Sequence, residues 1–396
     1  MNNISGIIQD GSKLIDLEEQ KKILRVKIEE ALKRQGFTLD RDIGSLRPNK
    51  EVLKMIQQSA RLEQIELHKS FLLQNFGTVK KFSKSGAEIV PERISLELRI
   101  VERDSLEDKI FKWWNLVWWS IPYQHPYGRQ MRFLIWDKGN DAPFGMFSLQ
   151  SPVLKMKVRD EALGIPNDEL DLWVNRSMYA QRVGAFPPYN DLLGGKAVAL
   201  SLTSNEVRNA YKEKYKNRKT IIKNRFIDSE LLFITTTSAF GRSSLYNRLT
   251  YNKEIVAESL GYTKGSGTFQ IPEGLYKEIL NYLERKGIDT RRSFGFGPSK
   301  KIKLLTIALK DIGIPEVIYH GIKREFYLFP LVSNLREVIS GLEEPKWFDR
   351  PFEKLAEYWK ERWALPRAKR SNSWKKFDKN EFFEEVSKML KEKSYG

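Results

Sequence analysis

A chain of 396 residues with 41% hydrophobic and 12% aromatic side chains can bury a normal core, as two domains or as one large domain with helical additions. Zero cysteines exclude disulfides and thiolate metal sites, and three widely separated histidines, His68, His125 and His320, make a zinc site improbable, so no metal is expected. Lysine and arginine number 68 against 51 aspartates and glutamates, a formal net charge of +17, which favours a polyanionic partner such as DNA or RNA.

No run approaches the roughly 18 apolar residues that span a bilayer, and MNNISGIIQDGSKLID lacks a charged start followed by an apolar signal core. The expected location is the cytoplasm, with no membrane partner.

Taken in order, Asp16 to Gln35 places Leu17, Leu24, Ile28 and Leu32 at spacings of seven, four and four, which predicts an amphipathic helix ended by Gly36. A second helix is expected after Pro48-Asn49 to about Phe76, with Val52, Ile56, Ala60 and Leu67 inward. Glu88 to Val101 should be extended. In Leu106 to Ile121, Trp114, Val117, Trp118 and Ile121 share one helical face, and the tryptophans read as core or interface residues rather than base-stacking ones. Met131 to Trp136 and Phe144 to Leu149 read as a hairpin around Lys138 to Asp141. Arg159-Asp160 leads through a loop to a strand and turn over Asp171 to Ala185.

Two stretches organise the middle of the chain: YAQRVGAFPPYNDLLGGK (Tyr179 to Lys196) and TTTSAFGRSSLYNR (Thr235 to Arg248). Each carries a strand-like run into a turn rich in Gly, Pro, Asn or Ser, and each then opens a helix whose first N–H groups are free to bind an anion. Adjacent strands deliver such loops to one sheet edge, so one shared cleft is expected. There Arg242 can hold a phosphate, Ser243 and Ser244 face an anion at a helix start, and Lys196 adds a point charge. Tyr189, Asn190 and Tyr246 can stack on or hydrogen-bond a base, and Arg129, Gly194, Gly195 and Arg248 complete the set.

Between these stretches, Leu192 to Leu202 is predicted helical, and Thr203 with Glu206 forms a capping box for a helix to about Tyr215. It runs into Arg208, Lys212, Lys214, Lys216, Arg218, Lys219, Lys223 and Arg225, with Glu213 the only acid among them and Tyr211 and Tyr215 interleaved. Solvated helix faces usually mix signs, so this segment is the best candidate for phosphate-backbone contact.

Leu231 to Ala239 predicts a buried strand, Gly261 to Phe269 a turn carrying Lys264, Ser299 to Ile314 a capped helix, and Glu316 to Pro330 one or two strands. Near the C-terminus, Trp359 and Trp363 lie one turn apart on a helix expected to stop at Pro366. Arg362, Arg367, Lys369, Arg370, Lys375 and Lys376 then form a basic arm around Trp374, a pattern that suits single-stranded nucleic acid or a solvated tail.

These elements predict an α+β protein: an N-terminal helical region (1–105), a central α/β core (106–290) and a C-terminal α/β extension with the basic arm (291–396).

The strings WSIP (Trp119 to Pro122), YGRQMRFLI (Tyr127 to Ile135), Arg159-Asp160, GAFPPYNDLLGGK and TTTSAFGRSSLYNR resemble the Druantia anti-phage defence protein DruA family, over about Trp118 to Arg370. The resemblance implies a component of a bacterial anti-phage system with a large helicase-like partner, and supplies no catalytic residues. Related domains look like the GNAT acyltransferase fold, whose central mixed sheet binds the pyrophosphate of coenzyme A at a Gly-rich turn. Gln181-Arg182-Val183-Gly184-Ala185-Phe186 begins like that turn, but Phe186, Pro187 and Pro188 depart from it; Gly194, Gly195 and Lys196 are a displaced alternative. No cofactor is predicted, with coenzyme A the doubtful exception.

The leading reading is therefore DNA recognition, duplex or single-stranded, within a defence complex. An enzyme remains open, either an acyltransferase or a phosphodiester-cleaving protein using Asp160, Asp191 and Asp228, or Ser244 or Tyr246 as nucleophile. So do a structural adaptor and a mobile-element DNA-processing protein.

Overall fold

The computed structural model describes residues 16–40, 45–47, 58, 61–62, 64–118, 128–220, 223–239, 241–268, 270–291 and 300–391. The chain forms two compact units, one from 1–53 with 265–321 and the other from 54–264 with 322–396.

In the first unit the helix Leu17–Arg34 buries Leu24, Ile28 and Leu32, the residues its periodicity selects. Gly36 takes φ +80°, and Phe37 N–H reaches the Leu32 carbonyl at 3.0 Å, a left-handed cap that a residue with a Cβ adopts at a cost. A short hairpin follows, β1 (Thr38–Asp40) and β2 (Ser45–Arg47). The helices Glu273–Arg285 and Lys300–Ile312 pack with the first, burying Leu275, Ile279 and Leu283 on one and Leu304, Leu305 and Leu309 on the other. Lys27 pairs with Glu278 at 2.6 Å.

The second unit is built on a seven-stranded mixed sheet. In chain order its strands are β3 (Leu96–Ile100), β4 (Gln130–Asp137), β5 (Ala142–Gln150), β6 (Ser177–Ala185) and β7 (Phe233–Thr237). A two-stranded ribbon intervenes, β8 (Thr250–Tyr251) and β9 (Glu254–Ile255), before β10 (Glu258–Tyr262) and β11 (Glu325–Pro330). The sheet order is β10-β11-β7-β6-β5-β4-β3, with β6 and β7 parallel and the other described pairings antiparallel. An α+β protein around a mixed sheet is thus what the chain forms.

Among the described residues three apolar clusters pack on the sheet, one of them joining Phe233 and Leu328 to Leu163, Trp173 and Leu335. Trp113 and Trp114, on the helix Leu106–Val117, pack with Leu134, Trp136, Met146, Phe186 and Phe383. Trp114 stacks on Phe186 at 4.7 Å, so these tryptophans belong to the core as their spacing implies. A further cluster includes Phe133, Phe147, Leu149, Val198, Leu200 and Trp359. The expected β4–β5 hairpin is present, Arg132 facing Ser148 and Leu134 facing Met146.

Some expectations fail for identifiable reasons. Leu67 is 68% exposed, and the helix that follows it, Lys69–Phe82, buries Leu72, Asn75 and Val79 instead. Val52, Ile56, Ala60, His125 and the Trp119–Pro122 string lie outside the described residues. Leu170–Asn175 is helical, and β6 begins only at Ser177, whose Oγ donates to the Trp173 carbonyl at 2.7 Å. Pro366 does not end its helix: a π-turn, Lys360–Ala364, precedes it, and the helix Leu365–Arg370 carries the proline in its first turn, where no N–H is needed.

Candidate nucleic-acid interface

The parallel pairing of β6 and β7 sends both organising stretches to the same sheet edge, as predicted. They meet there. Lys196 Nζ donates to the Leu245 carbonyl at 3.3 Å, and a Cβ on Gly195 would lie 2.9 Å from Leu245 Cδ1.

The junction is packed more than open. After β6 a 3-10 turn, Tyr189–Leu192, leads into the helix Gly194–Ser201. Tyr189 is 1% exposed and its hydroxyl donates to Asp137 at 2.8 Å, so it offers no face to a base. Burial, then the neighbouring Asp137 carboxyl, pushes its pKa well above the phenol's usual value. Gly194 is required by packing: a Cβ there would sit 2.6 Å from the Tyr189 carbonyl oxygen and 2.8 Å from Ala185 Cβ. Asn190 is exposed. Burial lowers the Lys196 pKa, and its ammonium lies 5.5 Å from the Trp363 ring.

After β7 the chain does not open a helix. It takes a left-handed bend at Gly241, bridges to Arg324, and turns through Ser244–Arg248. Ser243 and Ser244 are therefore not at a helix start. Ser243 N–H instead donates to the Tyr327 hydroxyl at 3.3 Å, and its Oγ caps Leu245 N–H at 3.2 Å. Arg242, Ser244 and Arg248 are exposed, with Arg242 donating to Asn247 Oδ1 at 3.0 Å. Tyr246 is buried in an aromatic contact with Tyr327, rings 5.0 Å apart, and burial raises its pKa. The stretch Gln181 to Phe186 is strand and buried corner rather than a phosphate loop.

The basic segment builds a different site. Its helix, Asn205–Tyr215, is capped by Ser204, whose Oγ accepts from Val207 N–H at 3.3 Å. Thr203 does not cap it, and Glu206 accepts from Phe352 N–H at 2.9 Å instead of closing a capping box. Arg208 turns away from the rest: it donates to the Phe348 carbonyl and lies 4.8 Å from the Trp347 ring.

One turn further on, Tyr211 and Tyr215 stand 5.0 Å apart in a cavity of about 700 Å³. Lys214, Arg218, Lys219 and Arg129 also line it, with Gln130, Ser151 and Asn175. These residues precede β4 and β6 and follow β5, so the cavity lies at the sheet edge opposite the β6–β7 exit.

Arg129 sets the floor. It donates to the carbonyls of Asn175 (2.9 Å), Ser177 (3.2 Å) and Val174, and to the Tyr211 hydroxyl, which itself donates to Asn175. Tyr215 exchanges hydrogen bonds with the Gln130 backbone at 2.8 and 2.9 Å. With the floor satisfied, the rim carries the charge. Lys212, Lys214, Arg218 and Lys219 make no ion pair among the described residues. Burial, and to a lesser degree Arg132 and Arg218 nearby, lowers the Lys214 pKa.

Lys219 bridges to Phe226, which is 64% exposed and lies 5.3 Å from the Lys219 ammonium. Lys223 and Arg225 anchor this loop on the buried carboxylate of Asp171 at 2.7 and 2.8 Å. Lys216 pairs with Glu213. Phe226 is the residue that sequence reading missed, although an aromatic inside a basic run was a usable signal.

In the C-terminal arm Trp374 is 3% exposed, under the turn at Gly86, so it is core. Arg367 donates to the Asp191 carbonyl at 3.2 Å, and Arg370 folds back on the Pro366 carbonyl. Asp160 is tied to Arg159 at 2.6 Å; Asp228 borders the cavity. Among the described residues no three His, Asp or Glu side chains gather as a metal site, and no helix is long and apolar enough to cross a membrane.

No solved structure matches the chain. The family described as DruA, Druantia protein DruA, matches residues 47–341. The chain is also similar to the Druantia protein DruA of Escherichia coli (strain UMEA 4076-1), 31% identical over 387 residues that cover 96% of this chain and 95% of that protein. On both counts, the chain belongs to the Druantia protein DruA family.

Proposed function

We propose that this chain is a nucleic-acid-binding component of a bacterial anti-phage defence system, acting in the cytoplasm with a helicase-like partner. Family membership supports the defence role, and the helicase-like partner is our extension of it. Nucleic-acid contact rests on one observation: a cavity of about 700 Å³ with the buried Tyr211 and Tyr215 in its wall, lined by Lys214, Arg218 and Lys219, which make no ion pair among the described residues, and by one carboxylate, Asp228. Phosphates neutralise such a rim, and exposed Phe226 beside it offers a stacking surface. DNA, duplex or single-stranded, is the proposed ligand.

The test is binding of duplex, single-stranded and hairpin DNA across a salt series, for wild type and for Lys214→Gln/Arg218→Gln/Lys219→Gln. Affinity should fall steeply with salt and be strongly weakened in the triple variant. Absence of binding at low salt would remove the nucleic-acid reading.

A GNAT-like scaffold with an acyltransferase activity is the second reading. It is supported by an antiparallel run of strands, β3 to β6, that ends in a parallel pair whose ladder covers only Ser177–Tyr179 and Phe233–Thr235. Protection against thermal unfolding by acetyl-coenzyme A tests it.

A further inference from the structure

The two ends of the seven-stranded sheet differ. At one end the register of β10 with β11 shifts between Ser259 and Gly261, and Gly261 takes φ +109°. Such a bulge is one of the devices that stop an edge strand from pairing with another chain. At the other end β3, LELRI over Leu96–Ile100, carries no proline and no lysine, and it pairs with β4 in unbroken register. All of 64–118, which holds β3 and both its flanks, is described.

The hydrogen bonds to β4 fix which backbone groups are left over. Val101 N–H donates to the Arg132 carbonyl at 2.9 Å, and Lys138 N–H donates to the Ser95 carbonyl at 2.8 Å. Bonding alternates along an antiparallel strand, so Glu97 and Arg99 also face β4, and Leu96, Leu98 and Ile100 turn their N–H and C=O to the open edge. Among the described residues nothing bonds those groups.

The side chains name the partner. LELRI is nearly its own complement about Leu98. Laid antiparallel on a second copy, with Leu98 opposite Leu98, it sets Leu96 against Ile100 and Glu97 against Arg99, and two-fold symmetry repeats each pair. Glu97 and Arg99 then fall at non-hydrogen-bonded positions, where Cα atoms approach to about 4.5 Å and side chains lie closest. Within one chain these two already pair at 2.7 Å, with 38% and 31% of their side chains exposed, so the edge presents both signs. Centring the pairing on Glu97 or on Arg99 instead would place like charges face to face, so charge selects one register. Leu96 and Leu98 pack on the larger apolar cluster, and Ile100, on the same side and 54% exposed, gains cover from Leu96 of the second copy.

We propose that β3 is a self-association edge: two copies of this chain join antiparallel through Leu96–Ile100, centred on Leu98, and continue their sheets across a two-fold axis. A ladder of five residues is small beside the roughly 1,000 Å² of a durable interface, so the expected dissociation constant is about micromolar. None of these residues lines the cavity with Tyr211 and Tyr215, so the dimer stands or falls apart from DNA binding.

The test is sedimentation velocity of the nuclease-treated full chain from about 1 to 100 µM, for wild type, Glu97→Arg, Arg99→Glu and an equimolar mixture of those two variants. Wild type should pass from monomer to dimer. Each variant alone faces like charges across the axis and should raise the dissociation constant about tenfold or more, whereas the mixture sets bases opposite acids and should recover the dimer. Ile100→Pro removes an N–H that β4 does not use, so it should abolish the dimer with the circular dichroism of the monomer unchanged. The cavity variant Lys214→Gln/Arg218→Gln/Lys219→Gln should dimerise like wild type. A wild type that stays monomeric throughout, an Ile100→Pro variant that dimerises undiminished, or folded charge variants whose mixture associates no better than either alone overturns the proposal.

Discussion

Tyr179 and Thr235 face each other across the parallel pair of the sheet, and the Tyr179 hydroxyl reaches beyond Thr235 to Thr237 at 2.8 Å while the Thr235 hydroxyl has no partner among the described residues. That arrangement separates two kinds of buried polar group in this protein. Tyr189 and Asp137, Asp171 with Lys223 and Arg225, and Arg129 with its carbonyls are satisfied and hold the fold. Thr235 Oγ1, Gln150 Oε1 and Arg324 Nε find no hydrogen-bond partner among the described residues.

Tyr189→Phe tests the first kind. Asp137 also accepts from Ser95 N–H (2.9 Å), Gly139 N–H (3.1 Å) and Asn140 Nδ2 (2.7 Å), so the variant leaves the carboxyl short of one donor in a buried place. Stability should fall by about 1–3 kcal/mol in denaturant titration, with DNA affinity unchanged. A loss of DNA affinity at intact stability would return Tyr189 to the binding surface.

The paired glycines make a contrast. Gly194→Ala brings a methyl within 2.6 Å of the Tyr189 carbonyl and 2.9 Å of Phe144 Cζ, all in fixed core, whereas Gly195→Ala meets only Leu245 Cδ1, the end of a movable side chain. The first should cost about 1–3 kcal/mol and the second clearly less. Equal effects would mean that the helix start is held by something other than this packing.

Acid should loosen the basic loop. Burial alone would raise the Asp171 pKa, but hydrogen bonds and attraction from Lys223 and Arg225 outweigh it and hold the carboxyl below its usual range. Asp108 behaves alike, burial being outweighed chiefly by Lys112 and also by Arg132. A carboxyl depressed in the folded state stabilises above its unfolded pKa, and this is lost as pH falls through the folded one. The thermal midpoint should thus be insensitive to these groups near neutral pH and drop below about pH 4, and Asp171→Asn should flatten part of that drop. An unchanged acid profile in Asp171→Asn would show that its ion pairs do not survive in solution.

Much of this was legible in the residues. Heptad-like spacing located Leu24, Ile28 and Leu32, two strand-like runs around the Lys138 to Asp141 turn located the β4–β5 hairpin, and tryptophan spacing located the core helix. Two adjacent strands with loops at one edge were also legible, from their turn-rich exits. What those loops do was not, because a Gly-Arg-Ser-Ser turn and a helix cap look alike until pairing with Arg324 is known. Burial of Tyr189 and Tyr246 depends on contacts with Asp137 and Tyr327, residues 52 and 81 positions away by their numbers. The union of Leu17–Arg34 with a segment beyond residue 265 is likewise a long-range fact that local pattern does not carry.

Phe226 offers the last discrimination, between a charged surface that attracts any polyanion and one shaped for unstacked bases. Its ring is 64% exposed, held between Lys219 and the Asp171-anchored side of the loop, so removing it costs the fold little. Phe226→Ala should leave the thermal midpoint and the salt slope in place while weakening single-stranded DNA by about 1–3 kcal/mol, the worth of one stacked base. Neutralising Lys214, Arg218 and Lys219 should do the reverse to the slope, lessening it by about 2–3 as three phosphate contacts are lost. If Phe226→Ala weakens duplex and single strand alike, the ring supports the loop and stacks on nothing; if only the single strand is affected, unpaired bases are what this surface reads.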